Sequence, residues 1–257
     1  MIHVDTQGTG TPTILLHSSG ASGQQWRRLA GSLMERKCRV ALPDLSGHGA
    51  SPAWSPSKHF DFHVDVDAVT ALLDAQTEPT HLVGHSYGGF IALQAALVRP
   101  AKVRSLTVYD PVSLGVLDRV RDNDVVTELE QMRSRWAEAS QEEFLTAFVD
   151  FWGGQGAFRN VREDVRTEMR RTGWVVREGV RTLAHDETPA SAYATLSFPA
   201  LLMSGEASPT AARRVIERLS EVIKRAHIAV IPGAAHFGPL THADAVNASI
   251  LEHIARN

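Results

Sequence analysis

Short apolar runs recur along the chain at intervals that leave room for a helix between neighbouring runs. Each run is rich in leucine and β-branched residues, as expected of strands that are buried on both faces of a sheet. The predicted strands are 13–17, 39–43, 81–84, 103–109, 200–204 and 228–231. Helical periodicity occupies segments 24–36, 62–76 and 89–97. This alternation predicts the α/β class, with a mostly parallel, doubly wound sheet covered by helices on both faces.

The pattern changes between residues 111 and 197. Helical periodicity dominates 124–139, 141–151 and 159–171, without a convincing strand between them. An all-helical insertion in a parallel sheet is expected over the carboxyl ends of the strands, where ligands bind. We therefore predict a core domain, made of 1–110 and 198–257, and a helical cap at 111–197. Ordinary crossover helices are the alternative interpretation of this segment.

Composition narrows the class of protein further. The chain is 43% apolar and 21% charged, with a formal net charge of −3, which is typical of a globular domain. Scattered basic residues predict neither a nucleic-acid nor a membrane partner. The single cysteine, Cys38, allows no internal disulfide and no thiolate metal site. The start of the chain lacks a signal-peptide pattern, so a cytoplasmic location is expected.

The motif Gly84-His85-Ser86-Tyr87-Gly88-Gly89 follows a predicted strand and precedes a predicted helix. Gly-x-Ser-x-Gly in this context is the pattern of a nucleophile elbow, although the spacing alone also occurs by chance. Glycines two residues before and after the serine permit a sharp turn that leaves the hydroxyl exposed. The motif predicts that Ser86 is a nucleophile, with the Tyr87 N–H as a donor to an oxyanion.

A serine nucleophile needs a histidine as its general base. The chain has 12 histidines, so composition does not identify the base. His236 follows the last predicted strand in a loop rich in glycine and alanine, at the edge where ligands collect in open parallel sheets. We predict His236 as the base. His242 is expected on the surface, and His85 is expected to pack beneath the elbow.

Four motifs occur in the order and spacing of the α/β-hydrolase superfamily: His-Ser-Ser-Gly at 17–20, Asp-Leu-Ser-Gly-His-Gly-Ala-Ser at 44–51, the elbow at 84–89, and Gly-Ala-Ala-His at 233–236. The chain resembles that superfamily over essentially its whole length except the cap. The resemblance implies that Ser86 is the nucleophile and His236 the base. It also implies that the N–H groups of Ser19 and Tyr87 form the oxyanion hole.

The chain departs from the superfamily at the acid of the triad. Most members carry an aspartate after the penultimate strand, where this chain has Ser208. A serine has no charge with which to stabilise an imidazolium. Some members carry their acid at the end of the strand after the elbow helix, where this chain has Asp110. We therefore predict Asp110 as the acid, with Glu206 as the alternative; a turn residue before Pro111 is the structural interpretation of Asp110.

The resemblance implies acyl transfer to and from Ser86, without a metal or organic cofactor. The expected partner is a small-molecule substrate, a small or medium apolar carboxylic ester, and the chain is expected to be a monomer or homodimer. Aromatic residues of the cap suggest an apolar pocket, which one or two of them are expected to reach. They are Trp136, Phe144, Phe148, Phe151, Trp152, Phe158 and Trp174, with Phe151-Trp152-Gly153-Gly154 expected to join two helices.

Other functions on the same fold remain alternatives. Carbon–carbon bond hydrolases of ring-cleavage products share the serine and the cap, and cofactor-free peroxidases share the serine. A non-catalytic ligand-binding protein is a third alternative, because Ser208 replaces the usual aspartate. Haloalkane dehalogenases and epoxide hydrolases of this fold use an aspartate nucleophile, so Ser86 argues against them.

Overall fold

The apolar runs form one twisted sheet in the computed structural model, which describes residues 1–55, 57 and 59–257. Over these residues the sheet has seven strands in the order β1-β3-β2-β4-β5-β6-β7. All neighbouring strands are parallel except β1 and β3, which are antiparallel. The strands are β1 Val4–Gly8, β2 Thr11–Leu16, β3 Cys38–Pro43, β4 Thr80–His85, β5 Val103–Tyr109, β6 Ala200–Gly205 and β7 Ala226–Ile231. The predicted parallel α/β sheet is confirmed.

The first strand was not predicted from the sequence. Val4–Gly8 lies at an edge of the sheet, pairs with β3 alone, and has no fully buried residue. An edge strand exposed to water needs no apolar run, so hydrophobic periodicity gives little signal for it.

Helices cover both faces of the sheet, as α1 Arg27–Met34, α2 His63–Asp74, α3 Tyr87–Val98, α7 Thr210–Val222, α8 Gly238–Thr241 and α9 Ala243–Ala255. Successive strand residues point to opposite faces. Leu82 accordingly packs in the core shared with α2, α3 and α7, whereas Val83 packs in the core shared with α1 and α9. The elbow helix α3 is buried almost all round, which explains why its sequence is so apolar.

Segment 111–197 contains three α-helices and no strand: α4 Asn123–Glu138, α5 Gln141–Gly153 and α6 Glu163–Leu183. Its own small core is built on Trp136, Phe144, Leu145, Val149, Phe158 and Val176. Helix α5 begins with a capping box, in which Ser140 and Glu143 exchange hydrogen bonds. None of the helices in the described part of the chain combines the length and apolar composition that crossing a membrane requires.

Two boundaries predicted in this segment were wrong. The helix expected at 159–171 runs from Glu163 to Leu183, since a buried stripe continues through Val175, Val176 and Leu183 without a proline to stop it. Residues 151–153 form the last turn of α5 rather than a joint between helices. Gly154, with φ of 95°, ends that helix.

Candidate active site

The predicted site residues meet at the carboxyl edge of the sheet. Ser86 directly follows β4, Asp110 directly follows β5, and His236 lies in the loop after β7. Parallel strands end at the same edge, so residues far apart in sequence come together there. Ser86, His236 and Asp110 are 5%, 2% and 0% exposed, respectively.

Ser86 has a strained backbone at the turn from β4 into α3. Its φ is 53° and its ψ is −117°, a region that residues with a side chain rarely occupy. Its N–H donates to the Tyr109 carbonyl (3.0 Å), and its carbonyl accepts from the Phe90 N–H (2.9 Å). A Cβ on Gly84 would lie 2.3 Å from the Gly88 carbonyl oxygen, so this turn requires glycine. The Ser86 hydroxyl does not cap α3 and is free for other partners.

A directed chain of hydrogen bonds links the three side chains. His236 Nε2 lies 2.9 Å from Ser86 Oγ, and His236 Nδ1 lies 3.2 Å from Asp110 Oδ2. A carboxylate only accepts, so Nδ1 carries the proton and Nε2 accepts from the Ser86 hydroxyl. This tautomer is the one that a general base for the serine requires.

Ser208 holds Asp110 in place, a contact that no local sequence pattern predicts. The Ser208 hydroxyl donates to Asp110 Oδ2 (2.5 Å) and accepts from the Gly205 N–H (2.9 Å). The Asp110 N–H donates to the Met203 carbonyl (2.9 Å) while Asp110 takes a φ of 43°. The residue that replaces the usual aspartate thus supports the carboxylate that reaches His236.

Glu206 is not part of this chain of hydrogen bonds. Its side chain is exposed, and its Oε2 accepts from the Gly233 N–H (2.8 Å). The structure therefore brings Asp110, and not the alternative acid Glu206, to His236. The sequence alone did not decide between the two carboxylates. Asp110 at a strand end and Glu206 in a loop four residues long are both expected near the same edge of the sheet.

The residues that carry the two predicted oxyanion donors, Ser19 and Tyr87, both lie beside Ser86. Ser19 lines the cavity at Ser86. Tyr87 is the first residue of α3, so its N–H has no acceptor inside the helix. The Tyr87 side chain has a separate structural role, since its buried hydroxyl donates to Asp65 Oδ2 (2.9 Å). Burial, followed by the nearby Asp65 carboxylate, raises the pKa of Tyr87 well above its ordinary value.

A second hydrogen-bonded network, also missed from the sequence, ties the loop after β2 to the His236 loop. The Ser18 N–H donates to Gln25 Oε1 (3.1 Å), Gln25 Nε2 donates to His85 Nδ1 (3.1 Å), and His85 Nε2 donates to the His236 carbonyl (2.8 Å). Burial, and then the neighbouring His236 ring, holds the pKa of His85 well below its ordinary value. His85 is therefore neutral, as this pattern of donors requires.

Segment 111–197 encloses Ser86 in a small cavity of about 30 Å³. The cavity is lined mainly by apolar side chains, among them the predicted aromatics Trp136, Phe148 and Trp152. Trp152 also stacks on the His236 ring, with centroids 4.5 Å apart and planes 30° from parallel. Phe144 and Phe158 instead belong to the segment's own core. Across the described residues, no group of three or more His, Cys, Asp or Glu side chains is placed to bind a metal ion.

The parallel sheet with a strained serine at the turn after β4 is typical of α/β-hydrolases. Comparison with known proteins identifies the same class. The model of the alpha/beta hydrolase family matches residues 13–249. The chain belongs to this family. Structural similarity agrees: an esterase from Thermogutta terrifontis superposes with a TM-score of 0.75 at 23% identity, covering 99% of this chain and 93% of that one.

Some relatives have higher sequence identity than this esterase, but only over part of the chain. Lipase LipV of Mycobacterium tuberculosis is 38% identical over 47% of this chain and 46% of its own length. A pimeloyl-[acyl-carrier protein] methyl ester esterase of Chromobacterium violaceum is 42% identical over 42% of this chain and 39% of its own length. The chain thus spans less than half the length of each of these two relatives.

Proposed function

We propose that the protein is a serine hydrolase that cleaves carboxylic esters through an acyl-enzyme on Ser86. The observation that carries the proposal is the directed chain from the Ser86 hydroxyl through His236 to Asp110. A non-catalytic binding protein would have no need for this tautomer of His236 or for the strained backbone at Ser86. The names of the two relatives, a lipase and a methyl ester esterase, support an ester as substrate.

Each group has a defined role in the proposed reaction. His236 Nε2 takes the hydroxyl proton as Ser86 Oγ attacks the ester carbonyl, and the Asp110 carboxylate stabilises the imidazolium. The N–H groups of Ser19 and Tyr87 stabilise the tetrahedral oxyanion. His236 then returns the proton to the leaving alcohol, and the acyl group stays on Ser86. Water activated by His236 finally releases the acid.

Labelling and turnover test this proposal together. A fluorophosphonate probe should label the protein on Ser86, and p-nitrophenyl esters should be hydrolysed. Ser86→Ala should lose both labelling and turnover, and His236→Ala should lose turnover by several orders of magnitude. Ser249→Ala, which removes an exposed hydroxyl on α9, is the matched control and should keep both. Labelling of the Ser86→Ala protein at another serine would overturn the assignment.

A further inference from the structure

In the part of the chain that the structure describes, a single charged side chain lines the cavity at Ser86. Arg133, on α4, is part of a lining that is otherwise apolar apart from the two hydroxyls of Ser19 and Ser86. It also lines two larger cavities that open to solvent, of about 340 and 530 Å³. Arg133 therefore stands at the junction between the enclosed cavity and the surface.

Among the described residues, Arg133 has no acidic partner at ion-pair distance. The nearest acid on α4, Glu130, accepts from Arg119 (3.0 Å). Other arginines of segment 111–197 are paired in the same way, such as Arg170 with Glu142 and Arg181 with Glu178. Within the described residues, no hydrogen bond or ion pair connects the Arg133 guanidinium to a protein acceptor.

The position of Arg133 makes this lack of a partner costly. Its side chain is half-buried, and burial lowers the pKa of its guanidinium, although the nearby Glu130 carboxylate partly offsets this effect. A guanidinium stays charged at neutral pH even so. A cation that is partly withdrawn from water and unpaired costs free energy, which an anionic ligand group would offset.

We propose that Arg133 binds a carboxylate of the substrate, so that the preferred substrates are monoesters of dicarboxylic acids. The ester carbonyl would lie at Ser86, apolar methylenes would contact Met132 and Phe148, and the far carboxylate would reach the guanidinium. A planar guanidinium matches a carboxylate with two parallel hydrogen bonds. This inference rests on the proposed function of Ser86 and specifies its substrate class.

Of the two open cavities, the one between α4 and α6 suits an anion better. Its described lining has three arginines, Arg133, Arg177 and Arg181, and two acids, Glu130 and Glu178. Glu178 pairs with Arg181 and Glu130 pairs with Arg119, so Arg133 and Arg177 have no acid of this lining at ion-pair distance. The other cavity contains Asp186 and Glu187 beside Arg119 and Arg133, so its charges balance. A carboxylate at Arg133 is therefore expected to face the groove between α4 and α6.

Matched ester pairs test the proposal. Monomethyl esters of C5 to C8 dicarboxylic acids are compared with the corresponding methyl esters that end in a neutral carboxamide of the same shape. The native protein should prefer the acid-ended ester by about 10- to 100-fold in kcat/KM, the range expected for hydrogen bonds to a charged group. Arg133→Gln should remove the preference by lowering activity on the acid-ended ester alone. Arg133→Lys should keep part of it.

Arg135→Gln is the matched control, because Arg135 is exposed on the same helix and lines a different cavity. It should keep the full preference. Equal losses on both esters in Arg133→Gln, or no preference in the native protein, would overturn the carboxylate site.

Calorimetric binding of the acid-ended ester to Ser86→Ala separates this inference from the proposed function. Binding that Arg133→Gln weakens in the Ser86→Ala background supports the carboxylate site even if turnover fails. Fluorophosphonate labelling with no such binding would leave the serine mechanism standing and refute the carboxylate site.

Discussion

Asp110 is the residue on which the proposed mechanism depends most. Its Oδ2 accepts from both His236 and Ser208, and its Oδ1 is buried without a partner among the described residues. The whole carboxylate is out of water, so its negative charge acts on the His236 ring at short range. A neutral side chain of the same shape would lose that charge and could reverse the tautomer of His236.

Asp110→Asn is therefore expected to lower kcat by about 10⁴-fold, the size of the effect when the aspartate of a serine protease triad is neutralised. The amide can donate to Nδ1 and so favour the wrong tautomer. Hydrolysis of a p-nitrophenyl ester at pH 8 measures the loss. Glu206→Gln is the control and should stay near the native rate, because Glu206 bonds the Gly233 N–H instead. Comparable losses in both variants would contradict the assignment of the acid.

Ser208 offers a way to move the acid. In the Asp110→Asn protein, Ser208→Asp would place a carboxylate where most family members carry it. We expect this double variant to recover activity at least about 10-fold over Asp110→Asn, a gain in line with a charge-assisted hydrogen bond. The pH profile of kcat should again show a single basic group. No recovery in a protein with native circular dichroism would mean that position 208 does not face His236.

The residues of the site differ in how well they can be predicted from the sequence. Ser86 and His236 sit in local patterns, a turn bounded by glycines and a small-residue loop after a strand. Ser208 and Asp110 are 98 positions apart, so their contact exists only once β5 and β6 lie side by side. Gln25 on the helical turn after β2 looks like any polar surface residue, and nothing local predicts its bond to His85.

At the scale of elements, buried strands were the most predictable part of the fold. The run at Val103–Tyr109 has both ends where the sequence placed them, since it is rich in apolar and β-branched residues and a short turn that contains Pro100 precedes it. In segment 111–197 the ends of α4 and α5 lie within two residues of the predicted ones, but those of α6 were less predictable. Helix α6 carries polar residues on most of its surface, and its stripe becomes visible only where Val175, Val176 and Leu183 pack inward.

The helices of segment 111–197 leave too little space at Ser86 for an ester of several carbons. Ligand cavities usually measure a few hundred Å³, whereas the cavity at Ser86 measures about 30 Å³. Side chains of α4 and α5 must therefore move aside when a substrate binds. Met132 on α4 lines the cavity, is only partly buried, and has a flexible chain, so it is the side chain best placed to set acyl length.

Met132→Ala should shift the preference toward longer acyl chains. Each additional buried methylene is worth about 0.8 kcal/mol, or about fourfold in kcat/KM. We expect the ratio of p-nitrophenyl hexanoate to acetate hydrolysis to rise by that factor for every methylene that the enlarged cavity takes up. Gln131→Ala, on the exposed side of the same helix, should leave the ratio unchanged. An unchanged ratio in Met132→Ala would show that the acyl chain lies elsewhere.

At the scale of the whole molecule, several histidines are buried as neutral groups. Burial lowers the pKa of His17 to about 3 and that of His81 to about 4, and it also lowers the pKa of His85. These rings accept and donate hydrogen bonds as neutral imidazoles; His17 Nε2, for example, accepts from the Leu45 N–H (2.9 Å). The α/β class could be predicted because periodicity extends over the whole chain, whereas these pKa shifts depend on packing between distant segments.

The protein should therefore lose stability in mild acid. Each buried ring has a lower pKa in the folded chain than in the unfolded chain, so the unfolded state takes up protons first as the pH falls. For His81 the stabilisation is complete above about pH 6.5 and is lost between there and about pH 4. The loss from this residue alone would reach about 3.5 kcal/mol, since one pKa unit corresponds to about 1.4 kcal/mol.

His81→Gln tests the contribution of one buried histidine to this loss of stability. His81 lies on β4, and its Nδ1 is 2.7 Å from the Ser105 hydroxyl, a contact that a glutamine can replace. The free energy of unfolding is measured by urea titration between pH 7.5 and 4.5. We expect it to fall less steeply with pH in the variant, and the two slopes should differ by about 1.4 kcal/mol per pH unit near pH 5. Gln131→Ala, an exposed change on α4 that removes no titratable group, is the control and should keep the native slope. Equal slopes for the native protein and His81→Gln would mean that the His81 ring takes up its proton without unfolding.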